Sequence, residues 1–113
     1  MRLLVTGGRD YWDEIELFNT LDEIAEYRDI SVVIHGNAAG ADTLAGSWAR
    51  DRGIPVISVP ADWQRYGRRA GPIRNRLMLE QCKPDFVVAF KGGRGTKDMV
   101  TISRAAGIEV IEA

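Results

Sequence analysis

Five short apolar runs alternate with segments of helical period, and this alternation restricts the fold more than any other feature of the chain. The runs are "RLLVTG" (2–7), "SVVIHG" (31–36), "IPVISVP" (54–60), "PDFVVAF" (84–90) and "IEVIEA" (108–113). Between the first two, "DEIELFNTLDEIAEYR" sets Ile15, Phe18, Leu21 and Ile24/Ala25 at helical spacing. "GADTLAGSWARDRG" predicts a second helix, with Asp42 near its start, Leu44, Ala45 and Trp48 on one face, and Gly53 as its stop. A loop over Ala61–Gly71 leads to a helix over Pro72–Gln81, where Pro72 suits a first turn. The last helix runs through "GTKDMVTISRAAG" and ends at Gly107. Strands separated by helices require crossovers, so the sheet is parallel and helices cover both faces. The expected architecture is an α/β, Rossmann-like three-layer sandwich with a five-stranded sheet of order 3-2-1-4-5. At 113 residues the chain has room for one such domain, 1–113, and one core.

In an open parallel sheet, ligands sit beyond the carboxyl ends of the strands where the order reverses. Here that is between strands one and four. Strand one opens into "TGGRDY" and strand four into "KGGRGT"; each loop has paired glycines and an arginine, Arg9 and Arg94. Strand two opens into "HGNAAGAD", and the arginine-bearing loop after strand three lies on the same edge. Glycines let backbone approach a ligand closely, and a strand-to-helix turn presents free N–H groups to phosphate. Neither loop has the dinucleotide pattern G-x-G-x-x-G or the Walker A spacing. A dehydrogenase or a P-loop NTPase is therefore not expected.

Together "TGGRDY", "HGNAAGADTLAGSWA", "PADW", "AGPIRNRLML" and "VVAFKGGRGTKDMV" resemble the YspA-type group of the SLOG superfamily. The resemblance runs over essentially the whole chain in order. It implies a Rossmann-like fold and a nucleotide or nucleotide-derived ligand. Relatives include the Lonely Guy phosphoribohydrolases, which release the base from a nucleoside monophosphate, and the DNA-processing protein DprA. The Lonely Guy pattern P-G-G-x-G-T-x-x-E is matched by Gly92, Gly93, Gly95 and Thr96, with Lys91 at the proline and Met99 at the catalytic glutamate. Asp98 is one residue away, about 100° around a helix. "RNRLM" puts Arg74 and Met78 in register with the family's R-K-x-x-M, Asn75 replacing the lysine. The phosphate cradle is thus similar, while the catalytic acid is displaced.

These residues define a candidate site. Gly92, Gly93, Gly95 and Thr96 are expected to hold phosphate, with Gly7, Gly8 and Arg9 approaching from the facing loop; otherwise Arg9 pairs with Asp10 or Asp13. His35 and Gly36 end strand two, the histidine as a ligand contact or a hydrogen-bonded structural group. Asp42 either supports its helix start or accepts from ribose hydroxyls. Asp62 and Trp63 follow strand three, where Trp63 stacks on a base or packs in the core. Arg74 and Asn75 donate to phosphate or base. Asp98, with Arg74, is the candidate catalytic group, its alternative role being to stabilise a helix N-terminus.

The net charge is −1, yet five of the chain's arginines fall in "RYGRRAGPIRNR" (65–76), and acids crowd 13–26. Three functions follow: a protein that binds a nucleotide or ADP-ribose-like ligand as a sensor or sequestering protein; an N-glycoside hydrolase; and a nucleic-acid binder using the arginines. With one cysteine (Cys82) and one histidine, no metal site and no cofactor are expected. No apolar run reaches membrane-spanning length and no signal peptide is evident, so a cytoplasmic protein without a membrane partner is expected. A chain this small with a shallow crevice is expected to form a homo-oligomer.

Overall fold

The computed structural model describes residues 1–113. Five parallel strands, β1 (Arg2–Thr6), β2 (Val32–His35), β3 (Val56–Ser58), β4 (Phe86–Ala89) and β5 (Glu109–Glu112), form one sheet of order β3-β2-β1-β4-β5. The order is the one the alternation implies, and it places the reversal between β1 and β4. The helices are α1 (Glu14–Tyr27), α2 (Ala41–Asp51), α3 (Trp63–Tyr66), α4 (Ala70–Cys82) and α5 (Arg94–Ala105), with a 3₁₀ turn at Gly67–Arg69.

β1, β2 and β4 are buried on both faces apart from the half-buried Arg2, which is why they read as continuous apolar runs. One face of the sheet packs on α1 and α2 through Leu3, Val5, Val33, Phe86, Leu21 and Trp48. The other packs on α4 and α5 through Leu4, Ile34, Val87, Met78, Cys82 and Met99. β3 and β5 are edge strands and only partly buried. β5 presents Glu109 to Arg28 at 2.7 Å and Glu112 to Arg104 at 2.9 Å, charges that discourage further strand pairing. α1 and α2 are tied by Asp22, which accepts from the indole Nε1 of Trp48 at 2.9 Å and from Arg52 Nε at 2.8 Å.

Three local expectations need correction. Ile15 does not belong to the buried face of α1; it is 76% exposed, and Leu17 and Leu21 enter the core. Asp13 caps the helix through the N–H of Glu16, and of two overlapping apolar stripes the one with Leu17 and Leu21 packs on the sheet. The segment 61–71 is not an open loop: Asp62 accepts from the N–H of Arg65 at 3.1 Å and starts α3. α4 then begins at Ala70, two residues before Pro72, so Arg74 and Asn75 lie in its second turn rather than at its start.

Candidate functional site

A crevice of about 690 Å³ lies beyond the carboxyl ends of β1 and β4, within the usual size of small-molecule sites. It is lined from every neighbouring loop: Gly7, Gly8, Arg9 and Asp10 after β1; Gly36, Ala38 and Asp42 after β2; Trp63 and Arg68 after β3; Gly93, Arg94, Gly95, Thr96 and Asp98 after β4. Four arginines face three aspartates there, an excess that favours an anion.

The two glycine loops are joined to each other. The Gly8 N–H donates to the Lys91 carbonyl at 2.9 Å, and the Gly8 carbonyl accepts from the Ala41 N–H at 3.2 Å. A Cβ on Gly7 would stand 2.5 Å from that of Ala41, and one on Gly92 would stand 2.7 Å from the Gly8 nitrogen and 2.1 Å from Thr96 Oγ1. Gly7 and Gly92 are therefore explained by packing, and Gly92 lies behind the crevice lining rather than in it. Gly93 and Gly95 differ. A Cβ at either would meet nothing within 4 Å, and neither backbone is in the left-handed region. Gly93 starts α5 with no side-chain cap, so the first N–H groups of that helix are left for solvent or a ligand.

α4 brings Arg74 and Asn75 across the crevice. The Arg74 guanidinium donates through Nη1 to the Gly36 carbonyl at 2.5 Å and through Nε to Asn75 Oδ1 at 3.0 Å. Gly36 is required for this approach, since a Cβ there would stand 2.4 Å from Nη1. Asn75, 3% exposed, donates through Nδ2 to the Gly95 carbonyl at 3.2 Å and to Asp98 Oδ2 at 2.9 Å. One amide thus links the arginine, the glycine loop and the carboxylate. Met99, at the position of the Lonely Guy glutamate, is fully buried against the sheet, whereas its neighbour Asp98 lines the crevice, as do Asp10 and Asp42.

Asp42 is 6% exposed. Its Oδ2 accepts from Gly36 and Ala38 N–H at 3.0 and 3.2 Å, so it shapes the loop after β2 rather than capping α2, whose N-cap is Gly40. Burial pushes its carboxyl up to about 6, against the pull of those N–H groups and of nearby Arg74. Burial also lowers the Arg74 guanidinium, with Asp42 opposing and Arg9 adding to the shift. Arg9 and Arg74 thus face one another as like charges. Arg9 forms no ion pair with Asp10 or Asp13; its guanidinium lies 5.1 Å from the centre of the Trp63 ring, a cation–π contact. Trp63 is 47% exposed at the crevice mouth and is not a core residue.

Two expected members lie elsewhere. His35 is buried beneath α2, its Nδ1 accepting from Asn37 N–H at 2.9 Å; burial, followed by Arg50 and Arg74, holds its imidazolium form disfavoured. It is a structural acceptor and does not line the crevice. Asp62 is occupied as the α3 cap and is likewise outside. Conversely, Asp10, Arg68 and Arg94 line the crevice although the motifs do not assign them to a ligand. Arg68 belongs to the arginine run and Arg94 to the glycine loop, and those positions were their signal.

The family model for the YspA, cpYpsA-related SLOG family matches residues 1–66. The chain belongs to this SLOG family. Gene 61 protein of Mycobacterium phage D29 is 37% identical over 118 residues, covering 97% of this chain and 94% of the relative. No solved structure matches the chain. Membership suggests nucleotide-related binding or processing, and the phage relative's name adds no activity. No helix of this SLOG domain is long and apolar enough to cross a membrane.

Proposed function

We propose that this SLOG domain binds a nucleotide or nucleotide-derived, ADP-ribose-like ligand, as a sensor or sequestering protein. The observation that carries this reading is Gly95, in the first turn of α5 next to the uncapped N-terminus at Gly93. Glycine inside a helix costs stability relative to alanine, and neither steric crowding nor positive φ requires it at Gly95. Phosphate approaching the free N–H groups of α5 accounts for it. Thr96 supplies a hydroxyl, and Arg9, Arg74 and Arg94 supply the countercharge. Asp42 Oδ1, which takes no protein hydrogen bond, would accept from a ribose hydroxyl. The test is mass spectrometry of small molecules released on denaturing the purified protein, with thermal shifts against AMP and ADP-ribose. An intact nucleotide, with stabilisation lost in Gly93→Asp and Arg74→Ala, supports the reading; no bound molecule and no stabilisation refute it.

A second reading, N-glycoside hydrolysis, is favoured by the Asp98 carboxylate, which Asn75 holds at the crevice wall at 2.9 Å. In that chemistry Asp98 takes a proton from water as the oxygen attacks C1′. The C–N bond to the base breaks, and the proton passes to the departing nitrogen. Release of free base that stops in Asp98→Asn while nucleotide binding persists would support hydrolysis. Absence of turnover across a nucleotide panel would leave the binding role alone.

A further inference from the structure

The net charge of −1 conceals a separation of charge between the two helix layers. α1 packs beside α2 on one face of the sheet, and α4 packs beside α5 on the other. Along α1, Glu14, Glu16, Glu23 and Glu26 are exposed, and the helix contains no basic residue. Across α3 and α4, Arg65, Arg68, Arg69 and Arg76 are exposed, with Glu80 the one carboxylate between 63 and 82. None of these eight side chains takes part in an ion pair.

Each charged face also carries uncovered apolar surface. Trp12 and Ile15, 82% and 76% exposed, stand at the start of α1, and Tyr27, 82% exposed, at its end. On the opposite face Trp63, Tyr66 and Leu77 are exposed among the arginines. Large apolar side chains exposed in groups and rimmed by charge mark interaction surfaces, and complementary potentials favour correct pairing. A basic partner would account for α1 alone, and a nucleic acid for the arginines alone. A second copy accounts for both.

We propose that copies of this chain associate head to tail, the acidic Trp12/Ile15 face of α1 seating on the arginine face of α3–α4 in the next copy. The two faces lie on opposite layers, so the contact is heterologous: a pair of copies leaves one face of each kind free, and assembly passes beyond a symmetric dimer, to a ring where the rotation closes and to an open chain where it does not. The seat includes Trp63 and Arg68, which also line the crevice, so the neighbouring copy lies beside the crevice mouth.

The test is sedimentation velocity on the full chain, treated with nuclease, over increasing concentration at low and high salt. Two variants each break one face at exposed positions outside the crevice: Trp12→Ser with Ile15→Ser, and Arg76→Glu with Leu77→Ser, each checked for native circular dichroism. The wild type is expected to form species beyond a dimer, weakening by about tenfold or more in high salt as charge is screened. Each variant is expected to be monomeric alone. Mixed, they retain one intact face of each kind and are expected to give a 1:1 dimer that grows no further. A wild type that stays monomeric overturns the proposal, as does a closed dimer insensitive to both variants. So do two monomeric variants that fail to pair when mixed. Association that disappears on nuclease treatment overturns it too, and assigns the arginine face to nucleic acid.

Discussion

Replacing Asp42 with asparagine should change how stability depends on pH, and the size of the change follows from its surroundings. The carboxyl is raised from its ordinary 3.8 to about 6, chiefly by burial, which corresponds to roughly 3 kcal/mol at ~1.4 kcal/mol per pH unit. The sign follows from proton binding. Between about 4 and 6 the folded chain holds a proton on Asp42 that the unfolded chain has released, so stability falls as pH rises through this window. Below it both states are protonated, and above it both are ionised, so the loss is complete. The amide of Asp42→Asn would not titrate. Its Oδ1 can take the place of the carboxylate Oδ2, which receives both Gly36 and Ala38 N–H groups, so the loop keeps its hydrogen bonds. Urea unfolding of both proteins from about pH 4 to 7 should show the difference moving in favour of Asp42→Asn by about 2–3 kcal/mol, with other carboxylates cancelling. Parallel profiles would refute burial as the controlling effect. A shift in the opposite direction would mean that Arg74 overcomes desolvation. If the predicted gain appears, the native carboxylate is retained at a cost to stability, and the same variant should bind a ribose-containing ligand about tenfold or more weakly, through loss of a charged acceptor.

Gly95→Ala should raise stability by up to about 1 kcal/mol, since alanine favours the helix and its Cβ meets open space; nucleotide-induced thermal shifts should nevertheless fall, and unchanged binding would contradict the phosphate assignment. Gly92→Ala should destabilise by about 1–3 kcal/mol through overpacking, because the Gly8 backbone stands 2.7 Å from the new Cβ; an unaltered urea midpoint would show that the loops separate readily. Asn75→Leu should cost about 2–4 kcal/mol, as the Gly95 carbonyl and the Arg74 Nε lose buried partners, which equilibrium unfolding would measure.

The fold was legible because its signals are long and redundant. Five apolar runs and four intervening helical segments leave few arrangements once parallel crossovers are required, and the order placed the glycine loops on one edge. The local errors arose where the pattern admits two solutions. Ile15 and Leu17 both continue an apolar period with Leu21, and only the packing against the sheet decides between them. The one-turn α3 is too short for periodicity to mark, although the Asp62 cap that starts it is visible in the sequence. His35 and Asp62 are adjacent in sequence to crevice residues, but adjacency fixes the backbone and not the direction of the side chain. His35 turns beneath α2, and Asp62 turns to its own helix. The link between Arg74 and Asp98 through Asn75 was beyond reach, because it depends on the packing of two helices whose contacting residues are 23 positions apart in the chain.

That link bears on whether a ligand here is held or cut. Met99, at the position of the Lonely Guy glutamate, is buried against the sheet, and Asp98, one residue earlier, lines the crevice. Asn75, at the position of the family's lysine, fits the exchange: a lysine would bring a cation, whereas the amide donates to Asp98 and accepts from Arg74 without adding charge. The Asp98 carboxylate is therefore held in place with one oxygen already engaged by Asn75. A base requires a carboxylate oxygen free to take a proton from water, and of the two Asp98 oxygens it is Oδ1 that meets that need. Activity in Asp98→Asn therefore separates the two roles more cleanly than any loop variant. The amide can keep a hydrogen bond to Asn75 and so preserve the helix contact, while removing the group that could receive a proton.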